Sequence, residues 1–333
     1  MRANKVLDLS SQSTGFPPDG LADPRKAWSR ADLAPEDWTF RFTPEALAEV
    51  EAIVAALRKD PLPTLLLTPE QFELPACREL MGRVRALLVE GIGFCLVDGL
   101  PLERYSEEEA KAAYWVLGLL VGRTVAQKWD GTMLYDVTDT GRALGYGVRA
   151  SWTDAELVFH TDNCFSAAMP EIVSLLCFSP AASGGISRFC SIHTVLERLR
   201  ERHPVLLQRL YRPFYYDRQA EHAPDAPKVT YAPALAWENG RLHGRLNNNL
   251  IRKGHELAGE PLDAEGAEAL DALEEVMADQ DLWVELRMER GQLQLLNNLE
   301  FVHYRSAFTD DERHKRHLVR LWMRDRGRRG FDG

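Results

Sequence analysis

No apolar run in the 333 residues approaches the roughly 18–20 needed to span a bilayer. The opening MRANKVLDLSSQSTG also lacks the apolar stretch of a signal peptide. Both absences argue against a membrane association and point to the cytosol. Cysteine is scarce: five residues (Cys77, Cys95, Cys164, Cys177, Cys190), an odd number without a CxxC pair. That argues against a disulfide framework and a structural zinc site. Positive charge is in deficit, with 40 Lys and Arg against 50 Asp and Glu, net −10. Broad binding to nucleic acid or an anionic membrane is therefore disfavoured. The basic tail RLWMRDRGRRG reads as a solvated terminus. There is no repeat and no low-complexity block, and nothing fixes an oligomeric state. What is present, 45% hydrophobic and 27% charged residues, describes a soluble globular protein with a sizeable core.

Along the chain, residues 1–40 are rich in Pro, Gly, Ser and Asp and read as an irregular arm. Residues 41–124 are mainly helical. Thr43-Pro44 opens one helix with a cap and a proline at the first helical position. Thr68 with Gln71, and Ser106 with Glu109, give capping-box patterns for two more. GFCLVDGLP between these two is a short strand. From 125 to 324 short β-rich runs separated by Gly, Asp, Asn or Pro predict antiparallel strands of a sandwich or barrel. TVLERLRERHP and DAEGAEALDALEEVMAD interrupt them as helices. The fold class is α+β: a jelly-roll (double-stranded β-helix) core under an N-terminal helical layer, as one domain over 1–333.

Within ELVFHTDNCF, His160 and Asp162 sit two apart on a predicted strand and so point the same way. A divalent metal is one point on which they converge; a plain His–Asp hydrogen bond is the other reading. Cys164 beside them reads better as a core residue. About 140 residues on, His303 follows a strand and an asparagine pair in QLLNNLEFVHYRSAF. Two histidines and a carboxylate with open positions form the facial triad of non-haem Fe(II) oxygenases. With nine histidines in the chain, a second one alone proves little. RHKRHLVRLWM sharpens the case, because Arg316 and Arg320 fall on one face of a strand. A guanidinium is the planar, permanently charged partner that a dicarboxylate co-substrate needs.

Three ordered segments, FHTDNCF, LLCFSPAASGGISRF and LLNNLEFVHYRSAFTDDERHKRHLVRLWM, resemble the taurine/2-oxoglutarate dioxygenases, over roughly residues 90–324. The resemblance implies that His160, Asp162 and His303 bind Fe(II). It implies that Ser187, just after the Gly184-Gly185 turn, and Arg316 hold the distal carboxylate of 2-oxoglutarate, and that Arg320 faces the primary substrate. The implied reaction consumes O2 and 2-oxoglutarate, releases succinate and CO2, and oxidises a substrate C–H bond. Hydroxylation is the default, with desaturation or ring closure as variants. The related halogenases lack the metal carboxylate, which Asp162 supplies here.

The substrate is less well specified. Arg149, Trp152, Asp154 and Glu156 lie in a polar segment suited to a pocket loop or to solvent. GRLHGRLNNNLIR alternates so that Arg245, Asn247 and Asn249 share one face of a predicted strand. It resembles a strand of the betaine-hydroxylating relatives, which selects Arg245 and Asn247 as substrate contacts. With Arg320 they favour a carboxylate-bearing substrate such as an amino acid, a sulfonate being the variant. A zinc hydrolase using the same ligands and a non-catalytic jelly-roll binding protein are the rival classes.

Overall fold

The computed structural model describes residues 6–12, 23–142, 145, 148–238 and 240–331. Its centre is two facing sheets. The larger runs Thr39–Arg41, Phe94–Asp98, Leu293–Asn297, Ile172–Ser179, His317–Met323 and Thr124–Val125, with Tyr135–Thr138 also pairing His317–Met323. The smaller runs Trp283–Leu286, Ser187–Ser191, Phe301–Arg305 and Leu157–His160. Pairing is antiparallel throughout both, except that Thr39–Arg41 runs parallel to Phe94–Asp98. Apolar side chains fill the gap between the sheets: Phe94, Phe189, Leu296 and Phe301 are fully buried, and Phe94 stacks on Phe189 at 4.6 Å. The architecture is an α+β fold with a double-stranded β-helix core.

The outer face of the larger sheet alternates apolar residues, Leu293, Leu295, Val319 and Leu321, and is covered by the helices Pro44–Lys59, Pro75–Glu90 and Glu107–Val121. Thr43 and Ser106 cap the first and third of these, accepting from Ala46 N and Glu109 N. The second differs from the sequence expectation. Thr68 and Gln71 close only a short 3₁₀ turn, and the long helix starts at Pro75 without a side-chain cap of its own. Glu49 of the neighbouring helix accepts from Ala76 N and Cys77 N instead, at 2.8 Å each. Orphan N–H groups at a helix start need an acceptor, and here it arrives from another element.

A third sheet (Val6–Asp8, Val229–Pro233, Pro213–Asp217) and the helix Asn248–Ala258 form one wall of the central cavity. That helix corrects the sequence reading, in which GRLHGRLNNNLIR was one strand. The strand ends at Gly244, and Asn247 accepts from Leu250 N as the helix cap. Helix and sheet approach closely because Gly254 has no side chain. A Cβ there would lie 2.3 Å from the carbonyl oxygen of Tyr215.

The arm is less irregular than its composition suggests. Val6–Asp8 adds a parallel edge strand to Val229–Pro233. Trp28 stacks on Phe301, and Lys26 reaches Glu300 at 2.6 Å with both side chains buried. His193 and Asn297 complete the coordination of that carboxylate. Breaking a buried pair leaves one charge uncompensated, at roughly 3–5 kcal/mol. Lys26→Met should lower unfolding stability by about that much in urea denaturation, and Lys26→Met with Glu300→Met should recover part of it. A loss from the single change no larger than that of an exposed pair would contradict this account.

Candidate metal centre and co-substrate site

His160 ends the strand Leu157–His160 and is the direct cross-strand partner of His303 in Phe301–Arg305. Register alone therefore puts the two imidazoles side by side, ring centres 4.2 Å apart. Nδ1 of His160 donates to the Val158 carbonyl at 2.8 Å, which leaves Nε2 as a lone-pair ligand. Asp162 reaches them differently from the predicted strand alternation. It lies in the turn after the strand, where the following Asn163 adopts φ 56°. The turn is fixed by Asn298: its Oδ1 accepts from Asp162 N at 2.7 Å, and its Nδ2 donates to the carbonyls of Asp162 and Pro170.

The two oxygens of Asp162 have separate surroundings. Oδ2 accepts from Arg320 Nη1 at 2.9 Å and from Trp322 Nε1 at 2.8 Å. Oδ1 stands 3.5 Å from Nε2 of His160 and 3.6 Å from Nε2 of His303. Ligands at about 2.1 Å from one ion and at right angles to each other lie roughly 3 Å apart, so this spacing fits one divalent metal. Burial opposes ionisation of Asp162. The Arg320 charge and the neighbouring imidazoles outweigh it and hold the carboxyl well below the usual range. Burial also pulls His303 down to about 3, which keeps it neutral and able to ligate. Its Nδ1 is buried without a hydrogen-bond partner, so its ring is oriented by packing and register.

Arg316 lies just before the strand His317–Met323, whose pairing with Ile172–Ser179 shifts register between His317 and Leu318. The two arginines thereby have separate surroundings. Arg320 goes to Asp162 and Gln127, while Arg316 lies over the Phe308 ring at 5.1 Å. Burial lowers Arg316 to about 10, and its Nη1 has no partner among the described residues. Gly184 and Gly185 turn with φ 73° and 66°, and a Cβ on Gly185 would meet Arg316 Nε at 3.2 Å. The buried Ser187 follows two residues later. An anionic ligand of Arg316 answers both the unpartnered nitrogen and the close glycine turn.

A cavity of about 640 Å³ opens beside His160 and Asp162, lined among others by Arg320, Trp322, Asn163, Asn247 and Asp217. Arg149 and Glu156 line it too, the first paired with Glu221 and the second accepting from Tyr304 Oη. Trp152 and Asp154 are not on its wall. Arg245 is a correction. Its guanidinium is buried behind the metal turn, donating to the carbonyls of Cys164 and Ser166 at 2.8 and 2.7 Å, and does not line the cavity. Asn247 does line it, with its Oδ1 engaged as a helix cap. The sequence reading missed Trp322, Gln127 and Asn298. Only Asn298 carried a visible signal, as half of the asparagine pair.

Sheet order and the convergence of two imidazoles with one carboxylate are those of the Fe(II)/2-oxoglutarate-dependent dioxygenases. The chain belongs to the taurine catabolism dioxygenase TauD, TfdA family, whose sequence profile matches residues 59–322. It is 28% identical over 316 residues to FR-33289 synthase of Streptomyces rubellomurinus, covering 92% of this chain and 91% of that one. It is 27% identical over 308 residues to the taurine hydroxylase-like protein SAT17 of Stachybotrys chartarum, covering 87% and 76%. Asparagine oxygenase in complex with Fe(II), 2S,3S-3-hydroxyasparagine and succinate shares the fold at TM-score 0.64 and 20% identity, covering 86% and 93%. The non-haem iron oxygenase OrfP, in complex with Fe, succinate and (3R,4R)-dihydroxy-L-Arg, does so at 0.65 and 15%, covering 86% and 94%. Among the described residues no helix is long and apolar enough to cross a membrane.

The double anchoring of Oδ2 generates a test. Trp322→Phe keeps the ring packing and removes one donor, so Fe(II) affinity should fall roughly 10–100-fold, the usual effect of losing an outer hydrogen bond to a ligand. Anaerobic Fe(II) titration measures it, and an unchanged affinity would show that the indole does not hold the carboxylate.

Proposed function

We propose that His160, Asp162 and His303 hold one Fe(II), and that Arg316 and Ser187 bind the distal carboxylate of 2-oxoglutarate. On this reading the enzyme hydroxylates an unactivated C–H bond of a small molecule bearing both an anionic group and a cationic nitrogen, as an amino acid does. The observations that carry the reading are a carboxylate whose free oxygen faces two Nε2 atoms, and a buried Arg316 whose Nη1 has no partner among the described residues. Fe(II), when bound, would supply with O2 and 2-oxoglutarate the oxidising equivalent for C–H cleavage, the 2-oxoglutarate alone being converted to succinate and CO2.

The chain's own residues do the positioning. Arg320 orients Asp162 and presents its guanidinium at the cavity wall beside the metal ligands. Across the cavity, Asp217 ends its strand buried, and burial raises its carboxyl above the ordinary value. It accepts from Gln219 N, with Lys253 as the cation acting on it. An ammonium group of the substrate would complete that site. An anion near Arg320 and a cation near Asp217 would set the substrate's direction and bring one carbon toward the metal. Asparagine and arginine derivatives in the structures of the fold relatives support an amino-acid reading. Five free, buried cysteines fit a reducing compartment, the cytosol.

A screen of free and N-substituted amino acids, read by succinate formation above the substrate-free rate, tests the substrate class. Asp217→Asn should raise KM for the active compound at least tenfold without changing 2-oxoglutarate affinity, and activity confined to substrates without a cationic nitrogen would overturn it. Arg316→Ala should raise the 2-oxoglutarate requirement by roughly a hundredfold or more, since an unpaired buried carboxylate costs about 3–5 kcal/mol. Arg320→Ala should behave differently. Because the guanidinium also holds Asp162, the change should weaken Fe(II) binding as well as uncouple succinate from product. Iron affinity at the wild-type level in Arg320→Ala would contradict this dual role.

A further inference from the structure

Arg305 has no role in the site as described, yet it is a buried cation with spare donors. It lies two residues after His303 on the same strand, and its direct cross-strand partner is Ser187. Residues two apart on a strand share a face, so Arg305 points into the same inter-sheet space as His303. Its Nη2 donates to the carbonyls of Thr153 and Ala155, whereas Nε and Nη1 are buried with no partner among the described residues. The guanidinium lies over the Phe308 ring at 4.9 Å, the same ring that Arg316 covers at 5.1 Å. The two guanidinium groups therefore share one ring as like charges. Asp154 and Asp139 act on Arg305 only at a distance, and no carboxylate accepts a hydrogen bond from it among the described residues. Two buried guanidinium groups around one ring, each with an unused N–H, leave the space between Ser187 and Phe308 short of negative charge.

We infer that Arg305 is the second guanidinium of the co-substrate site, and that with Arg316 it makes the enzyme selective for a 2-oxoacid carrying a distal carboxylate. The inference rests on the reading of Arg316 and Ser187 above. One arginine alone leaves the other repelled and unpaired, while a carboxylate with four lone-pair sites can take donors from both. The bonds from Nη2 to Thr153 and Ala155 fix the fork, so little side-chain entropy is lost on binding.

Anaerobic titration of the Fe(II)-loaded full-length protein, read by the metal-to-ligand charge-transfer band, separates these roles without turnover. Two probes are compared: 2-oxoglutarate, and 2-oxopentanoate, which has a methyl group in place of the distal carboxylate. Arg305→Met should weaken 2-oxoglutarate at least tenfold and leave 2-oxopentanoate within twofold of wild type. Arg305→Lys keeps the charge and loses the fork, and should weaken 2-oxoglutarate several-fold with the same selectivity. If the Met variant does not fold, the Lys variant decides. An equal loss for both probes would show that Arg305 only braces the 153–155 segment, and no loss for either would remove it from the site. Either result overturns the inference. Arg316→Met is run alongside. If it leaves 2-oxoglutarate unmoved, the underlying reading of the co-substrate site has failed. If it weakens 2-oxoglutarate while Arg305→Met does not, only the role of Arg305 falls.

Discussion

The unequal treatment of the two oxygens of Asp162 is the constraint on which the site depends. A buried carboxylate with both oxygens free would rotate, or would take up a proton and lose its value as a ligand. Arg320 and Trp322 pin Oδ2 from the larger sheet, and Oδ1 is left facing two imidazole nitrogens supplied by the smaller one. The carboxylate therefore bridges the sandwich. Arg320 is itself held by Gln127, which donates to the carbonyls of Met133 and Arg320, so the anchor is braced from a third segment. Errors in any of these elements would reach the metal position through one side chain.

The histidines need less support because the sheet does the work. Their cross-strand pairing sets the ring separation, and the stack of Trp28 on Phe301 seats the strand that bears His303 from the other end. This accounts for a metal-type histidine with an unpartnered Nδ1. Where a hydrogen bond usually fixes such a ring, packing against His160 does so here. The N-terminal arm thus belongs to the catalytic architecture through Lys26, Glu300 and Trp28, although it lies far from His303 in sequence.

How much of this could be read from residues alone follows from the range of each interaction. H-x-D, a distal histidine and an arginine-bearing strand are local patterns, and the structure brings those side chains together. Caps made within four residues, at Thr43 and Ser106, were equally legible. The cap that Glu49 lends to another helix was not, because its partners are 27 and 28 residues away. Asp162 was placed by strand alternation, whereas a turn held by Asn298 from 136 residues on brings it to the histidines. Arg245 was misread for a related reason. Alternation gives a face but not what lies opposite, and here the carbonyls of Cys164 and Ser166 already occupy its donors.

The distribution of unfinished interactions also orders the events at the site. Oδ2 of Asp162 is held by two donors of the protein itself, so on the proposed reading the metal position is set by the fold. Arg316 is buried with a spare donor, and on the proposed reading an entering anion would compensate its charge. The gain from that compensation is realised inside a low-dielectric gap, where a charge-assisted hydrogen bond counts for more than it does in water. The substrate cavity is different in kind. Its wall mixes paired charges, such as Arg149 with Glu221, and others such as Asp217 that make no ion pair among the described residues, and its size leaves room for water. On the proposed reading, tight, directional recognition is concentrated on the metal and the dicarboxylate. The substrate is met by a roomier, mixed-charge wall, which is where members of one fold can diverge in what they oxidise while keeping the same reaction.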